Sequence, residues 1–198
     1  MDKEVDVDYW QIIWTRFKTG DQEAFAIVYN FHIDRLYHYG TKLCKDTDEV
    51  KDSLQELFLE LFLQREKIKV SPENLKYYLL LALKRNLIKK ILAGRKLSKR
   101  LSESIDFQPE YGIEFQIMEQ EKDAEINQKV VKALLQLPTK QREAIYLRFN
   151  ESLEYTEIAQ ILEINVESVR KQVHRAIKTI RDIIRNEPFM TLLFLLKK

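Results

Sequence analysis

With 198 residues, the chain is long enough to bury the cores of one or two small domains without metal or disulfide staples. Its 33 Lys and Arg stand against 31 Asp and Glu, leaving a formal net charge of +2; this excludes a generally basic chain, so any nucleic-acid surface has to come from local clustering. A single cysteine, Cys44, excludes an internal disulfide framework and a cysteine-built zinc site, and only four glycines and four prolines interrupt the chain.

The opening Met1-Asp2-Lys3-Glu4 is charged and leads into no apolar run, so no secretory signal is read and the cytoplasm is the expected compartment. A first helical block runs from about residue 9 to residue 95. Trp10 and Trp14, four apart, read as a helix anchor. Asp21 after Gly20 is placed to cap a helix carrying Ala24, Phe25, Val28, Tyr29 and Leu36. Asp46-Thr47-Asp48 is a second cap-like site, followed by Val50, Leu54, Leu57, Phe58, Leu61 and Phe62. Ser71-Pro72-Glu73 opens a third helix, with proline at its first position and Tyr77, Tyr78, Leu81, Leu87, Ile88 and Ile91 along it. These are parts of an antiparallel bundle.

Between residues 96 and 125 the pattern breaks: Ser102-Glu103-Ser104, Pro109 and Gly112 lead into an acidic stretch, and the segment reads as a flexible linker. A second unit spans 126–186. Val130, Leu134, Leu135 and Leu137 form its first apolar stripe, and Thr139, after Pro138, is placed to cap the next helix. The closing segment, 187–198, is apolar but too short to span a bilayer as a helix. It is read as docking on the protein's own surface, on a regulator or on a membrane. The expected fold class is all-α: two small helical domains joined by a flexible linker, the C-terminal one containing a helix-turn-helix.

The helix-turn-helix is the most specific local feature, running from Tyr155 to Ala176. Small Ala159 lets two helices approach, Ile164 plugs the turn, Asn165 caps the second helix, and Val169 with Val173 seats it. On that second helix Val169, Val173, Ala176, Ile177, Ile180 and Ile184 share one sector at about 100° per residue. Ser168, Lys171, Arg175 and Lys178 point away, with Arg170, His174 and Arg181 on the flanks. One face makes core and the other is cationic, as a helix lying in the major groove requires. Ser168, Arg170, Lys171, His174, Arg175 and Lys178 are therefore the expected duplex-DNA residues.

A second cationic run, from Lys84 to Arg100, holds no acidic residue. Its apolar positions keep helical spacing, which leaves one side for phosphates. Tyr77 and Tyr78 lie upstream as candidate surfaces for unpaired bases. A solvated helix face with core tyrosines fits this run equally well on its own.

Taken in order, Trp14, Gly20-Asp21-Gln22-Glu23-Ala24-Phe25, Asp52 to Phe62, Tyr78 to Asn86, Leu137 to Ala144 and the helix-turn-helix resemble the extracytoplasmic-function (ECF) sigma factors of the sigma-70 family, two-domain initiation factors of bacterial RNA polymerase. The resemblance implies that Asp52, Gln55, Glu56 and Phe58 grip the core polymerase. It implies that Asn74, Tyr77, Lys84, Arg85, Asn86, Lys89 and Lys90 meet the opened minus-10 promoter element, with a flipped base captured in the loop before Asn74. The helix-turn-helix would read the minus-35 element as duplex. The implied partners are bacterial core RNA polymerase, promoter DNA and an inhibitory anti-sigma factor, with any membrane contact made through a regulator. Three departures stand out: Phe62 in place of a frequent tryptophan, Ser53 in place of an aliphatic residue, and Glu163 at a turn position often held by glycine.

No glycine-rich phosphate loop, nucleophile–base constellation or metal-ligand spacing is present, and His32, His38 and His174 form no ligand set. No enzyme activity, small-molecule substrate, metal or cofactor is expected. The competing class is a stand-alone helix-turn-helix regulator whose N-terminal bundle senses a ligand or dimerises.

Overall fold

The computed structural model describes residues 7–94, 107 and 130–184, and among them the regular structure is helical throughout, with no strand. The chain divides into two compact units, Met1–Ile105 and Asp106–Lys198.

The first unit holds α1 (Val7–Lys18), α2 (Gln22–Leu43), α3 (Thr47–Leu63) and α4 (Pro72–Gly94), with α2 packed against the other three. The expected starts are present. Asp21 accepts from the backbone N–H groups of Glu23 and Ala24 at 2.9 and 3.1 Å, and Asp46 from those of Asp48 and Glu49 at 3.0 and 3.2 Å. Each carboxylate satisfies amides that the first turn leaves free. Pro72 opens α4, where its missing N–H costs nothing. Between α1 and α2 the chain turns through Gly20 at φ +92°, a conformation that strains residues with a Cβ. Gly40 lets α2 and α3 close up: a Cβ there would stand 2.7 Å from Val50 Cγ1.

The core of this unit is a chain of rings and leucines. Trp14 meets Phe17 at 5.0 Å, Phe25 meets Phe62 at 5.1 Å, and Tyr29 meets Phe58 at 4.6 Å between centroids. Leu75, Leu79, Leu80, Leu83 and Leu87 bury the inner stripe of α4. Ser53 is fully buried, and its hydroxyl finds no hydrogen-bond partner among the described residues.

The second unit holds α5 (described over 130–135), α6 (Thr139–Ile145), a π-turn (Tyr146–Asn150), α7 (Tyr155–Ile161) and α8 (Val166–Ile184). The last of these packs on both α6 and α7. Two sequence expectations are corrected here. Thr139 is the first residue inside α6 and does not cap it: Pro138 holds the cap position with extended backbone and no side-chain cap bond forms. In the first apolar stripe Leu135 is exposed, and Ala133 fills the buried position between Val130 and Leu137.

Phe107, inside the segment read as linker, is buried in this unit. Its ring lies 5.4 Å from that of Tyr146, and its carbonyl accepts from Arg142 Nη1 at 3.0 Å while Arg142 Nη2 donates to the Leu137 carbonyl at 3.0 Å. The remaining linker expectation, the cationic residues Arg95 to Arg100 and the 187–198 segment lie outside the described residues.

Candidate nucleic-acid interface

The helix-turn-helix is built locally, bond by bond. At the start of α7 the Glu154 backbone N–H donates to the Glu157 carboxylate at 2.7 Å. At its end the N–H groups of Leu162 and Ile164 donate to the carbonyls of Ile158 and Ala159 at 2.9 and 3.0 Å. The reversal needs a left-handed residue, and Glu163 supplies it at φ +53°. Asn165 then starts α8, its side-chain oxygen accepting from the Ser168 N–H at 2.8 Å. The Asn165 cap stands where the sequence puts it.

The faces of α8 divide as expected. Val169, Val173, Ala176 and Ile180 are buried, while Arg170, Lys171, His174, Arg175, Lys178 and Arg181 are exposed and Ser168 is half-buried. The Ile184 side chain lies outside the described residues. Nineteen residues make a rod of roughly 28 Å, which a major groove about 12 Å wide admits. Not every cation is equally available. Lys171 pairs with Glu167 at 3.6 Å, one turn earlier, while the Arg170 guanidinium stands 5.8 Å from the centre of the Tyr155 ring. That ring also takes Arg148 at 4.9 Å, and Arg148 donates to the Leu153 carbonyl at 2.7 Å. Arg170 is thus tied to the start of α7, leaving Arg175 and Lys178 as cations on the exposed face with no such tie to a described residue.

In the first unit the expected residues separate into two faces. On α4, at about 100° per residue, Asn74, Tyr77, Arg85 and Lys89 share one side, with Lys84 and Asn86 at its flanks. Asn74, Arg85 and Lys89 are exposed, and Tyr77, Lys84 and Asn86 are half-buried. Asn74 sits in the first turn of α4, its amide donating to Ser71 Oγ at 3.2 Å. Tyr78 is half-buried, and burial, with the Glu60 carboxylate adding to it, pushes its hydroxyl above the ordinary range. Lys90 is elsewhere: about 160° round the helix from Asn74, it pairs with Glu56 of α3 at 3.0 Å and with Glu49 at 3.6 Å.

The exposed face of α3 collects Asp52, Gln55 and Glu56, as the sequence predicts. Phe58 does not belong to it: it is 3 % exposed and packs against Tyr29, so it supports the face from beneath. Sequence reasoning missed Leu59 and Leu63. They continue the same face by one and two turns and are 59 % and 68 % exposed. The available signal was their i, i+4 spacing from Gln55 and Leu59, a register offset from the buried Leu54, Leu57 and Leu61.

No helix among the described residues is long and apolar enough to cross a membrane. Residues 127–180 match the family described as Sigma-70, region 4. Over 176 residues the chain is 24 % identical to the ECF RNA polymerase sigma factor SigW of Bacillus subtilis, covering 85 % of this chain and 93 % of that one. It is 28 % identical to the sigma factor SigV of the same organism over 150 residues, 76 % and 84 % of the two chains. Among solved structures, the sigma factor RpoE of Bartonella quintana, determined with the anti-sigma factor NepR, shares its fold with a TM-score of 0.54 at 19 % identity, covering 83 % of this chain and 98 % of that one. CnrH, determined with the cytosolic domain of CnrY, gives 0.53 at 18 % identity over 92 % and 100 %.

Proposed function

From the region 4 match and a likeness to ECF sigma factors that runs through both units, we infer that the chain is a sigma factor of this type, a transcription initiation factor that directs bacterial RNA polymerase to promoters. The observation that carries the reading is the pairing, in one chain aligned over 85 % of its length with SigW, of a groove-sized helix-turn-helix with a second helical unit. A stand-alone regulator needs no such second half matched to a sigma factor. Sigma-70 factors position the polymerase and leave the chemistry to it.

Within this reading, α8 lies in the major groove of the minus-35 element. Arg175 and Lys178 supply the main base or phosphate contacts, while Ser168, Arg170, Lys171 and His174 stand along the same surface. The face of α4 bearing Asn74, Tyr77, Lys84, Arg85, Asn86 and Lys89 meets the opened minus-10 strand, where half-buried aromatic and exposed cationic groups together suit an unpaired strand. The α3 face of Asp52, Gln55 and Glu56 takes the core polymerase, extended by the apolar Leu59 and Leu63. An anti-sigma factor is the expected regulator, since both RpoE and CnrH are known in complexes with partners of that kind or with a cytosolic domain. The protein acts in the cytoplasm, where polymerase and promoters are.

The test mixes purified protein with sigma-free core polymerase and follows complex formation by gel filtration, then run-off transcription from a pool of genomic promoters. A complex that initiates at defined starts, and that Asp52→Lys with Gln55→Lys weakens, supports the reading. Tight, specific duplex binding with no polymerase binding overturns it in favour of a stand-alone regulator.

A further inference from the structure

The cationic run of α4 divides in space, and its last described lysine points to a different partner. Lys90 is 24 % exposed and lies between two carboxylates of α3: Glu56 at 3.0 Å, itself 59 % exposed, and Glu49 at 3.6 Å. Burial alone would lower the lysine's pKa, but the two carboxylates outweigh it, and the ammonium is held above its ordinary range. By contrast Arg85 and Lys89, about 140° and 100° round the helix from Lys90, are exposed and carry no ion pair to a described residue.

Resting on the sigma-factor reading, we propose that Lys90 is a positioning residue of the polymerase-binding face, fixing the Glu56 carboxylate for its partner, and makes no contact with promoter phosphates. Three features carry this. A helix touching a duplex or strand along Asn74, Arg85 and Lys89 leaves Lys90 about 160°, 140° and 100° round the helix from those three residues. Swinging the ammonium toward a phosphate would leave Glu49 and Glu56 as uncompensated anions close to a polyanion, a repulsion that grows as salt falls. Glu56 lies on the exposed α3 sector with Asp52, Gln55 and Leu59, so the lysine that restrains it restrains a group already at that surface. Holding a long, exposed glutamate in one arrangement before binding removes part of the ordering cost of association. The ammonium also offsets repulsion between the two glutamates without taking the exposed oxygen of Glu56 out of reach.

The experiment uses the full chain with Lys90→Met, Lys90→Arg, Lys89→Met, Glu56→Gln and the double variant Glu56→Gln with Lys90→Met. Two quantities are read for each: affinity for core polymerase, and the salt slope of promoter binding by the assembled holoenzyme. We expect Lys90→Met to weaken core binding about three- to tenfold, the size of one immobilised side chain, with the salt slope unchanged. Lys90→Arg should restore core affinity, and Lys90→Met should add nothing in the Glu56→Gln background. Lys89→Met should do the reverse, leaving core affinity alone and lowering the slope by about one, as loss of one phosphate contact does. A slope reduced by about one in Lys90→Met at unchanged core affinity, an effect additive with Glu56→Gln, or no change in either quantity overturns the proposal. If the unmodified chain fails to bind core polymerase at all, it is the sigma-factor reading that falls, a result separate from each of these.

Discussion

Glu163 occupies the left-handed turn of the helix-turn-helix at φ +53°, where a Cβ crowds the following carbonyl and costs about 1 kcal/mol. Replacing it by glycine should stabilise the second unit by up to that amount, less what the freer unfolded chain gives back. Hydrogen exchange of the α7 and α8 amides should slow several-fold in Glu163→Gly and not in Glu163→Ala, which keeps the Cβ; equal slowing in both would show that the turn stores no strain. His32 carries a different cost. It is buried in the first unit, its ring 6.3 Å from that of Trp10, and burial, with Arg35 and Lys76 adding to it, pushes its pKa down to about 4 from 6.5. The unfolded chain therefore binds a proton that the folded one refuses across that window. Stability from this group is full above pH 6.5 and falls as the pH drops toward 4, by on the order of 3 kcal/mol in all. Both tryptophans lie in α1, so urea unfolding followed by their fluorescence reads this unit alone. The loss between pH 6.5 and 4 should shrink markedly in His32→Leu; an unchanged pH slope would mean that other groups set it.

At the scale of the element, α3 and α8 follow the same rule, one face buried and one kept for a partner, but they were not equally legible. The charges of α8 repeat on the helical period against Val169, Val173 and Ala176, so core and cationic faces both follow from the sequence. The apolar residues of α3 surround most of the helix, and periodicity alone does not say which of them face solvent. The spacing groups Phe58 with the buried Val50, Leu54, Leu57 and Leu61, and only the family resemblance sets it on the polymerase face, while Leu59 and Leu63 go unassigned although they are exposed. Apolar groups this exposed on a face shared with Asp52, Gln55 and Glu56 mark a contact. Replacing Leu59 and Leu63 together by glutamate should leave helix content and urea midpoint unchanged while weakening core polymerase binding at least about tenfold, or 1.4 kcal/mol. Unaltered affinity in that variant would remove the apolar half of the face. Phe107 was illegible for another reason: its contacts with Tyr146 and Arg142 lie 35 or more residues away in sequence, in a stretch with no periodicity to announce burial.

For the molecule as a whole, the near-cancellation of charge limits what either unit can do alone. The two cationic faces are short, and acidic residues elsewhere hold the net charge at +2, so electrostatic attraction to DNA in the free chain is small and weakens further as salt rises. Selective binding then has to come from both faces acting at once, with the polymerase holding each unit near its own element and turning the second contact into an intramolecular one. Arg175→Ala with Lys178→Ala removes two cations from α8, and Arg85→Ala with Lys89→Ala removes two from α4. Each pair should lower the salt slope of holoenzyme binding by about two. Because the pairs lie in separate units with no shared partner, their costs should add in log K when combined. The free chain offers the contrast. There the α4 pair should leave binding to a minus-35 duplex unchanged, since that element meets α8 alone. Holoenzyme binding measured at two salt concentrations, on promoters carrying both elements, separates the cases: additive losses mean two independent readers on one scaffold, whereas a pair that costs nothing alone, with the combined loss equal to that of the other pair, would mean that one face makes all the DNA contact and the other serves a different partner.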